Sequence, residues 1–283
     1  MGSTMIRREA IVPLVTYPDP TSDRVASNAV AVAQHLGFDL HALALDVAIP
    51  NLSSALGNLL LNLPEMIREA EETSRARGLS LLGAITAQAA QAEVALTTGT
   101  LAAVPAAFGE VAAEHARYYD LSLIGWQRDN QVARIAVEGV VFGSGRPALL
   151  LPDAVDVGPI NHVAIAWDES RVAARALADA QPFLERAATI SVVTVLDDKP
   201  LRDDKIGHRL ARTLEKRGLN AEARTIPAED CPIAETLQEH ARESGAQLLV
   251  MGGYGHSRIR DFVLGGATRG VLSDLRLPVL LSH

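Results

Sequence analysis

One cysteine, Cys231, stands in a chain of 283 residues, which excludes an intramolecular disulfide framework. It precedes Pro232 with no histidine, aspartate or second cysteine at metal-ligand spacing, so it reads as an incidental thiol. Aromatic residues are scarce at 4%, too few for a surface built to stack nucleobases. Cationic side chains are outnumbered, 26 against 34 acidic ones, for a net charge of −8. That balance argues against broad nucleic-acid binding, which needs a basic face to displace counterions. It says nothing against a small local anion site. No apolar run approaches the roughly 20 residues of a membrane span, and Arg7, Arg8 and Glu9 interrupt any cleavable signal pattern. The expectation is a cytoplasmic protein without membrane insertion. A Gly-Lys-Ser/Thr phosphate loop is missing, and the first strand of neither half leads into a Gly-x-Gly-x-x-Gly turn. Phosphate-loop ATPases and dehydrogenases are therefore disfavoured.

What is present repeats. Glu114-His115-Ala116-Arg117 precedes the apolar run Leu121–Gly125, and Glu239-His240-Ala241-Arg242 precedes Leu248–Gly252. Each half ends in a proline-led strand, Pro147–Leu151 and Pro278–Leu281, and opens with a short run, Ala10–Val15 and Val163–Trp167, that leads into an alanine-rich helix. Two copies of one domain explain these matches. The acidic stretch Pro152–Pro159, with two prolines and a glycine, suits the linker. The domains are accordingly placed at 1–152 and 160–283.

In the second copy the periodicity predicts strands at His162–Trp167, Ile190–Leu196, Asn220–Ile226 and Gln247–Met251, and a last strand after Leu275. Helices are predicted over Ser170–Arg186, about Leu201–Lys216 (stopped by Arg217-Gly218), Pro232–Glu243 and Gly266–Leu275. Strands alternating with helices mean right-handed crossovers and a parallel α/β sheet. Ligands of such sheets bind beyond the carboxyl ends of the strands at a topological switch point.

The richest segment follows the fourth strand. Gly252-Gly253-Tyr254-Gly255-His256-Ser257-Arg258 is followed, after Ile259–Leu264, by Gly265-Gly266-Ala267-Thr268. Glycines let a ligand approach the backbone, and the second cluster opens a helix whose free N–H groups suit a phosphate. This segment resembles the nucleotide-binding loop of the universal stress protein family, in which glycine, two residues, glycine, nine residues, glycine and a small hydroxyl residue follow one another. Gly252, Gly255 and Gly265 match that spacing. The hydroxyl position falls on Gly266, while Thr268 matches a threonine common in the family. Loss of the hydroxyl removes one hydrogen bond to a charged acceptor, worth about 1–3 kcal/mol.

The resemblance extends over Ile160–His283. It implies two tandem Rossmann-like domains, each a five-stranded, mostly parallel sheet of order 3-2-1-4-5 with helices on both faces, paired by pseudo-two-fold symmetry through the last strands. It implies an adenine nucleotide (ATP, ADP or AMP, with or without Mg²⁺) as the ligand. Asp168, ending the first strand, would meet adenine and ribose, and it would equally suit a helix cap. Thr194 and Val195 would offer main-chain groups to the adenine edge. His256, Ser257 and Arg258 lie within reach of phosphates, although Arg258 and Arg260 beside Asp261 equally make a solvated pair. No carboxylate partner marks His256 as a general base.

The first half lacks the loop. Gly125-Trp126-Gln127-Arg128-Asp129-Asn130 has no second glycine in place, the later glycines (Gly139, Gly143, Gly145) are shifted toward the last strand, and Trp126 sets a large ring where the loop needs open backbone. Thr16-Tyr17-Pro18-Asp19-Pro20 replaces the strand-one aspartate. This copy is expected not to bind nucleotide and to act as an internal partner. The uncharged stretch Val47–Pro64 sets Leu52, Leu56, Leu59, Leu60 and Leu63 on one helical face and predicts a buried or interface helix, with a partner or apolar-ligand surface as the alternative. Met66–Arg77 predicts an exposed charged helix, continuing with interruptions past Gly78 and Gly83 to about Gln91.

Three functional classes follow. The first is a nucleotide-responsive stress or signalling module with no catalytic or metal-binding residues of its own, working through an unknown protein partner or a homodimer. The second is a scaffold that binds no nucleotide, and Gly266 keeps that reading open. The third is a slow ATPase. Asp197-Asp198 and Asp203-Asp204 read more simply as loop and helix-start charges than as a Mg²⁺ pair.

Overall fold

In the computed structural model, which describes residues 7–50, 62–196, 205–227, 232–253 and 266–283, the short apolar runs form strands and the segments between them helices. The chain divides into two compact units, Met1–Arg146 and Pro147–His283.

The first unit runs β1 (Glu9–Val15), α1 (Asp23–Leu36), β2 (Asp39–Val47), α2 (Leu63–Gln91), β3 (Leu96–Ala103), α3 (Phe108–Ala116), β4 (Leu121–Trp126) and α4 (Gln131–Gly143). Its strands lie in the order β3-β2-β1-β4, all parallel, with Val15 opposite Leu45 and Val47 opposite Ala103. α1 starts where Ser22 accepts the Arg24 N–H and stops where Gly37 turns left-handed, φ 68°. β1 is apolar after Glu9 because both of its faces are covered. Trp126 is buried at the end of β4.

The interrupted, exposed helix expected after Met66 is a single helix of 29 residues. Its buried stripe is Ala70, Ser74, Gly78, Leu81, Ile85 and Ala89, a 3.6-residue period made partly of small and polar side chains and therefore hidden from an apolar count. Gly78 reads as a break in the sequence and is a contact in the fold. A Cβ there would lie 2.7 Å from Asp46 Oδ1. Of the apolar stretch before it, Val47 ends β2 and Leu63 opens α2; residues 51–61, with Leu52, Leu56, Leu59 and Leu60, lie outside the described residues.

β2 also carries a titratable ring. His41 stacks on Tyr119, with centroids 5.4 Å and planes 16° apart, and its Nδ1 meets the Thr97 hydroxyl at 2.8 Å. Burial lowers its pKa from the ordinary 6.5; the Glu9 carboxylate opposes this and His115 adds to it. The unfolded chain thus takes up a proton near pH 6.5 that the folded unit accepts only at lower pH. Stability is complete above that pH and is lost as the pH falls below it. The melting temperature of the first unit should fall between about pH 7 and about pH 5.5, with part of the slope missing in His41→Gln. Equal slopes in the two proteins would refute the assignment.

The second unit contains β5 (Ala148–Pro152), β6 (His162–Ala166), α5 (Arg171–Asp179), α6 (Gln181–Leu184), β7 (Thr189–Leu196), α7 (Ile206–Glu215), β8 (Ala221–Pro227), α8 (Ile233–Glu243), β9 (Leu248–Gly252), α9 (Gly266–Ser273) and β10 (Val279–Ser282). Its strand order is β8-β7-β6-β9-β10-β5. Counted within the second repeat, the first five of these follow the expected 3-2-1-4-5, all parallel. The sixth differs from a simple five-stranded copy. β5, which closes the first repeat in sequence, pairs antiparallel with β10, Val279 opposite Leu150 and Leu281 opposite Ala148. β5 is buried throughout, and the backbone groups on its β10 edge are satisfied inside this unit. The helix expected over Ser170–Arg186 is two, α5 and α6. Pro182 lies in the first turn of α6, where its missing N–H costs nothing. Gly218, φ 86°, ends the turn after α7 as expected. Among the described residues no helix is long and apolar enough to cross a membrane.

Candidate functional site

The switch point of the second unit lies between β6 and β9. From β6 the chain moves outward to β7 and β8, then crosses back to β9 on the other side of β6. In sheets of this kind the helices on either side of a switch point diverge, which makes the carboxyl ends of the two strands the place to look for a ligand.

Asp168 stands two residues past β6, exposed. The end of β6 is held firmly. The Trp167 N–H donates to Val193 O at 2.8 Å, and the Thr194 hydroxyl donates to Trp167 O at 3.2 Å. Asp168 Oδ1 accepts the Ser170 N–H at 2.9 Å. Ser170, and not Asp168, caps α5, accepting the Ala173 N–H at 3.1 Å. The carboxylate therefore braces the turn with one oxygen, and the second has no partner among the described residues. Between them Glu169 adopts φ 60°, unusual for a residue with a side chain, and pairs with Arg209 of α7 at 3.5 Å.

Gly252 closes β9 opposite Ser282. A Cβ on it would lie 2.6 Å from the carbonyl carbon of Val172 and 2.7 Å from the Ala173 nitrogen. Only glycine lets the first turn of α5 rest on the strand end. This contact brings Asp168 and the start of the glycine loop together. Gly253 follows, its N–H donating to Ser282 O at 2.7 Å and its carbonyl accepting from His283 Nδ1 at 3.0 Å.

The other expected site residues divide. Thr194 is buried, 1% exposed, with its hydroxyl committed to Trp167, so any contact with a ligand falls to main-chain atoms. Val195 is half-buried beside it, opposite Ile226. Thr268 is 3% exposed within α9, a core position. Gly266 and Ala267 form the first turn of α9. Gly255, His256, Ser257, Arg258 and Gly265 lie outside the described residues. Ser170 and Gly207 do not stand out in the sequence. Gly207 sits where a Cβ would be 2.9 Å from Thr194 Oγ1, and its counterpart in the first unit, Gly78, is the one signal that could have found it. Among the described residues no group of three or more His, Cys, Asp or Glu side chains is placed to hold a metal ion.

This half of the chain is also where a known family matches: the family model described as "Universal stress protein family" covers residues 159–283. Residues 159–283 are thus similar to the universal stress protein family. The universal stress protein Slr1230 of Synechocystis sp. is 28% identical over 156 residues, which cover 51% of this chain and 49% of that protein. The matched region thus spans about half the length of that relative. A universal stress protein from Archaeoglobus fulgidus DSM 4304 shares the fold over 96% of this chain and 97% of its own, with a TM-score of 0.69 at 18% identity. A functionally unknown protein from Pseudomonas aeruginosa PAO1 does so over 96% and 92%, with a TM-score of 0.54 at 16% identity. At these identities the likeness is one of fold, and it takes in the first half of this chain as well as the second.

Proposed function

We propose that this chain is a universal stress protein that binds an adenine nucleotide at the β6–β9 switch point of its second unit and works as a nucleotide-responsive module without dedicated catalysis. The observation that carries the reading is the pairing of an exposed, braced Asp168 with the close approach at Gly252. Asp168 offers a fixed acceptor with one oxygen that has no partner among the described residues, suited to a ribose hydroxyl or the adenine amino group. Gly252 leads directly into the glycine-rich segment, and α9 begins at Gly266, so its free N–H groups are suited to phosphate. The residues present are compatible with the nucleotide on these grounds. Such a ligand shifts the protein between states only through different affinities for them.

The thermal shift of the full chain with ATP, ADP, AMP and a GTP control, with and without Mg²⁺, tests this. Ligand at about 100 times its dissociation constant stabilises by about 2.7 kcal/mol. That corresponds to about 5–10 °C in the transition of the second unit. Asp168→Asn should lose most of the shift and retain the melting temperature of the free protein. A guanine response equal to the adenine one, or a full shift in Asp168→Asn, would show the assigned site to be wrong. The competing reading, a scaffold without nucleotide, is favoured by one pair of facts. Gly266 lacks the family's hydroxyl, and the nearby Thr268 is buried. No shift with any nucleotide, in protein free of copurified ligand, would establish it in place of the first.

A further inference from the structure

In the first unit the place equivalent to that site is taken by the chain's own helix. Strand register fixes the correspondence. Val15 lies opposite Leu45 as Ala166 lies opposite Val193, so Asp46 matches Thr194 and Val47 matches Val195. The glycines agree independently, Gly78 lying against Asp46 as Gly207 lies against Thr194. The helices that carry these glycines differ in length. α7 begins at Ile206, beside Gly207. α2 begins at Leu63, roughly four turns ahead of Gly78.

Along that extra length two side chains one turn apart reach the carboxyl end of β2. Ser74 is 0% exposed. Its Oγ accepts the Val47 N–H at 2.8 Å and lies 2.6 Å from Thr16 Oγ1. Because the Thr16 hydroxyl donates to Leu45 O at 2.8 Å, the Ser74 hydroxyl donates to Thr16. The relay is closed, with each hydroxyl proton assigned. Glu71 then accepts the Ile49 N–H at 3.0 Å. Ala70, Ser74 and Gly78 are small enough to let the helix lie this close.

We infer that α2 is a built-in plug: through Ser74 and Glu71 it occupies the main-chain donors of Val47, the counterpart of Val195 that is proposed to meet adenine in the second unit, and of Ile49 just beyond it. The chain accordingly takes one nucleotide, and the first unit keeps its strand ends closed in the free protein. Only the identity of the second unit's ligand rests on the proposed function; the plug itself does not.

Amide hydrogen exchange of the full chain, read at Val47 and Ile49, tests the plug. Both amides should exchange slowly without nucleotide and stay unchanged when ATP is added at millimolar concentration. In Glu71→Ala/Ser74→Ala they should exchange on the order of tenfold faster, as expected for loss of one buried hydrogen bond each. Rapid exchange in the unaltered protein, unchanged rates in the double variant, or further slowing on adding ATP would each overturn it. Should the Ser74 substitution unfold the unit, Glu71→Ala alone, at a half-buried position, gives the same comparison at Ile49. If no nucleotide binds the second unit, the proposed function fails while the exchange rates of the free protein still decide this inference.

Discussion

Gly139→Ala should lower the melting temperature of the first unit by about 10 °C, corresponding to about 3 kcal/mol. α3 and α4 cross at Gly109 and Gly139. A Cβ on Gly139 would lie 2.2 Å from the carbonyl oxygen of Gly109 and 2.4 Å from its carbon. A Cβ on Gly109 would lie 2.4 Å from Ile135 O. Backbone faces backbone in both directions, so no flexible side chain can give way, and the helices must separate along a seam that includes buried Phe108, Ala112, Ala136 and Val140. The intrinsic helical advantage of alanine, about 1 kcal/mol, is smaller than that cost. Gly83→Ala is the matched control. It is also helical and exposed, with nothing within 4 Å of the added carbon, and it should stabilise by about 0.5–1 kcal/mol. Thermal melts of the three proteins check both signs. A Gly139→Ala melt within a degree or so of the parent would mean the helices slide apart freely. Because Gly109→Ala strains the same crossing, the double variant should cost less than the sum of the two.

The second large effect is expected at Gly252→Ala. The added carbon would meet Val172 and Ala173 backbone at 2.6–2.7 Å, displacing the first turn of α5 and with it the Ser170 cap and the turn braced by Asp168. The second unit should lose about 2–3 kcal/mol, and the adenine-dependent thermal shift should fall by at least half in the same protein. Asp168→Asn separates the two effects, since it is expected to remove the ligand response and leave stability near the parent's. A Gly252→Ala protein with the parent's stability and a full ligand response would mean that this contact does not organise the site.

Several features are legible in the sequence because they are set by neighbours in the chain. Alternating strands and helices, the internal repeat, Gly218 as a helix stop and Gly252 at a strand end all follow from local period, turn chemistry and spacing. Other features depend on what lies opposite. Gly78 looks like an interruption until Asp46 is seen against it. Ser74 looks like one polar residue in a charged helix until Val47 and Thr16 are seen to need it. Asp168 suits capping α5 and binding equally well by position, and the φ of 60° at Glu169 passes the cap to Ser170 and leaves Asp168 exposed. Thr268 matches a family position by spacing, yet α9 packs so that its side chain is buried.

Sequence alone therefore determined the α/β class, the duplication and the glycine that closes β9, because hydrophobic period and glycine spacing are properties of consecutive residues. Tertiary structure decided that β5 joins the second unit, that Ser74 and Glu71 of α2 reach Val47 and Ile49, and that Asp168 Oδ1 accepts from Ser170. Those depend on close approaches between residues far apart in sequence, such as Ser74 with Thr16 or Gly252 with Val172, where a difference of one carbon atom fixes whether two elements can meet.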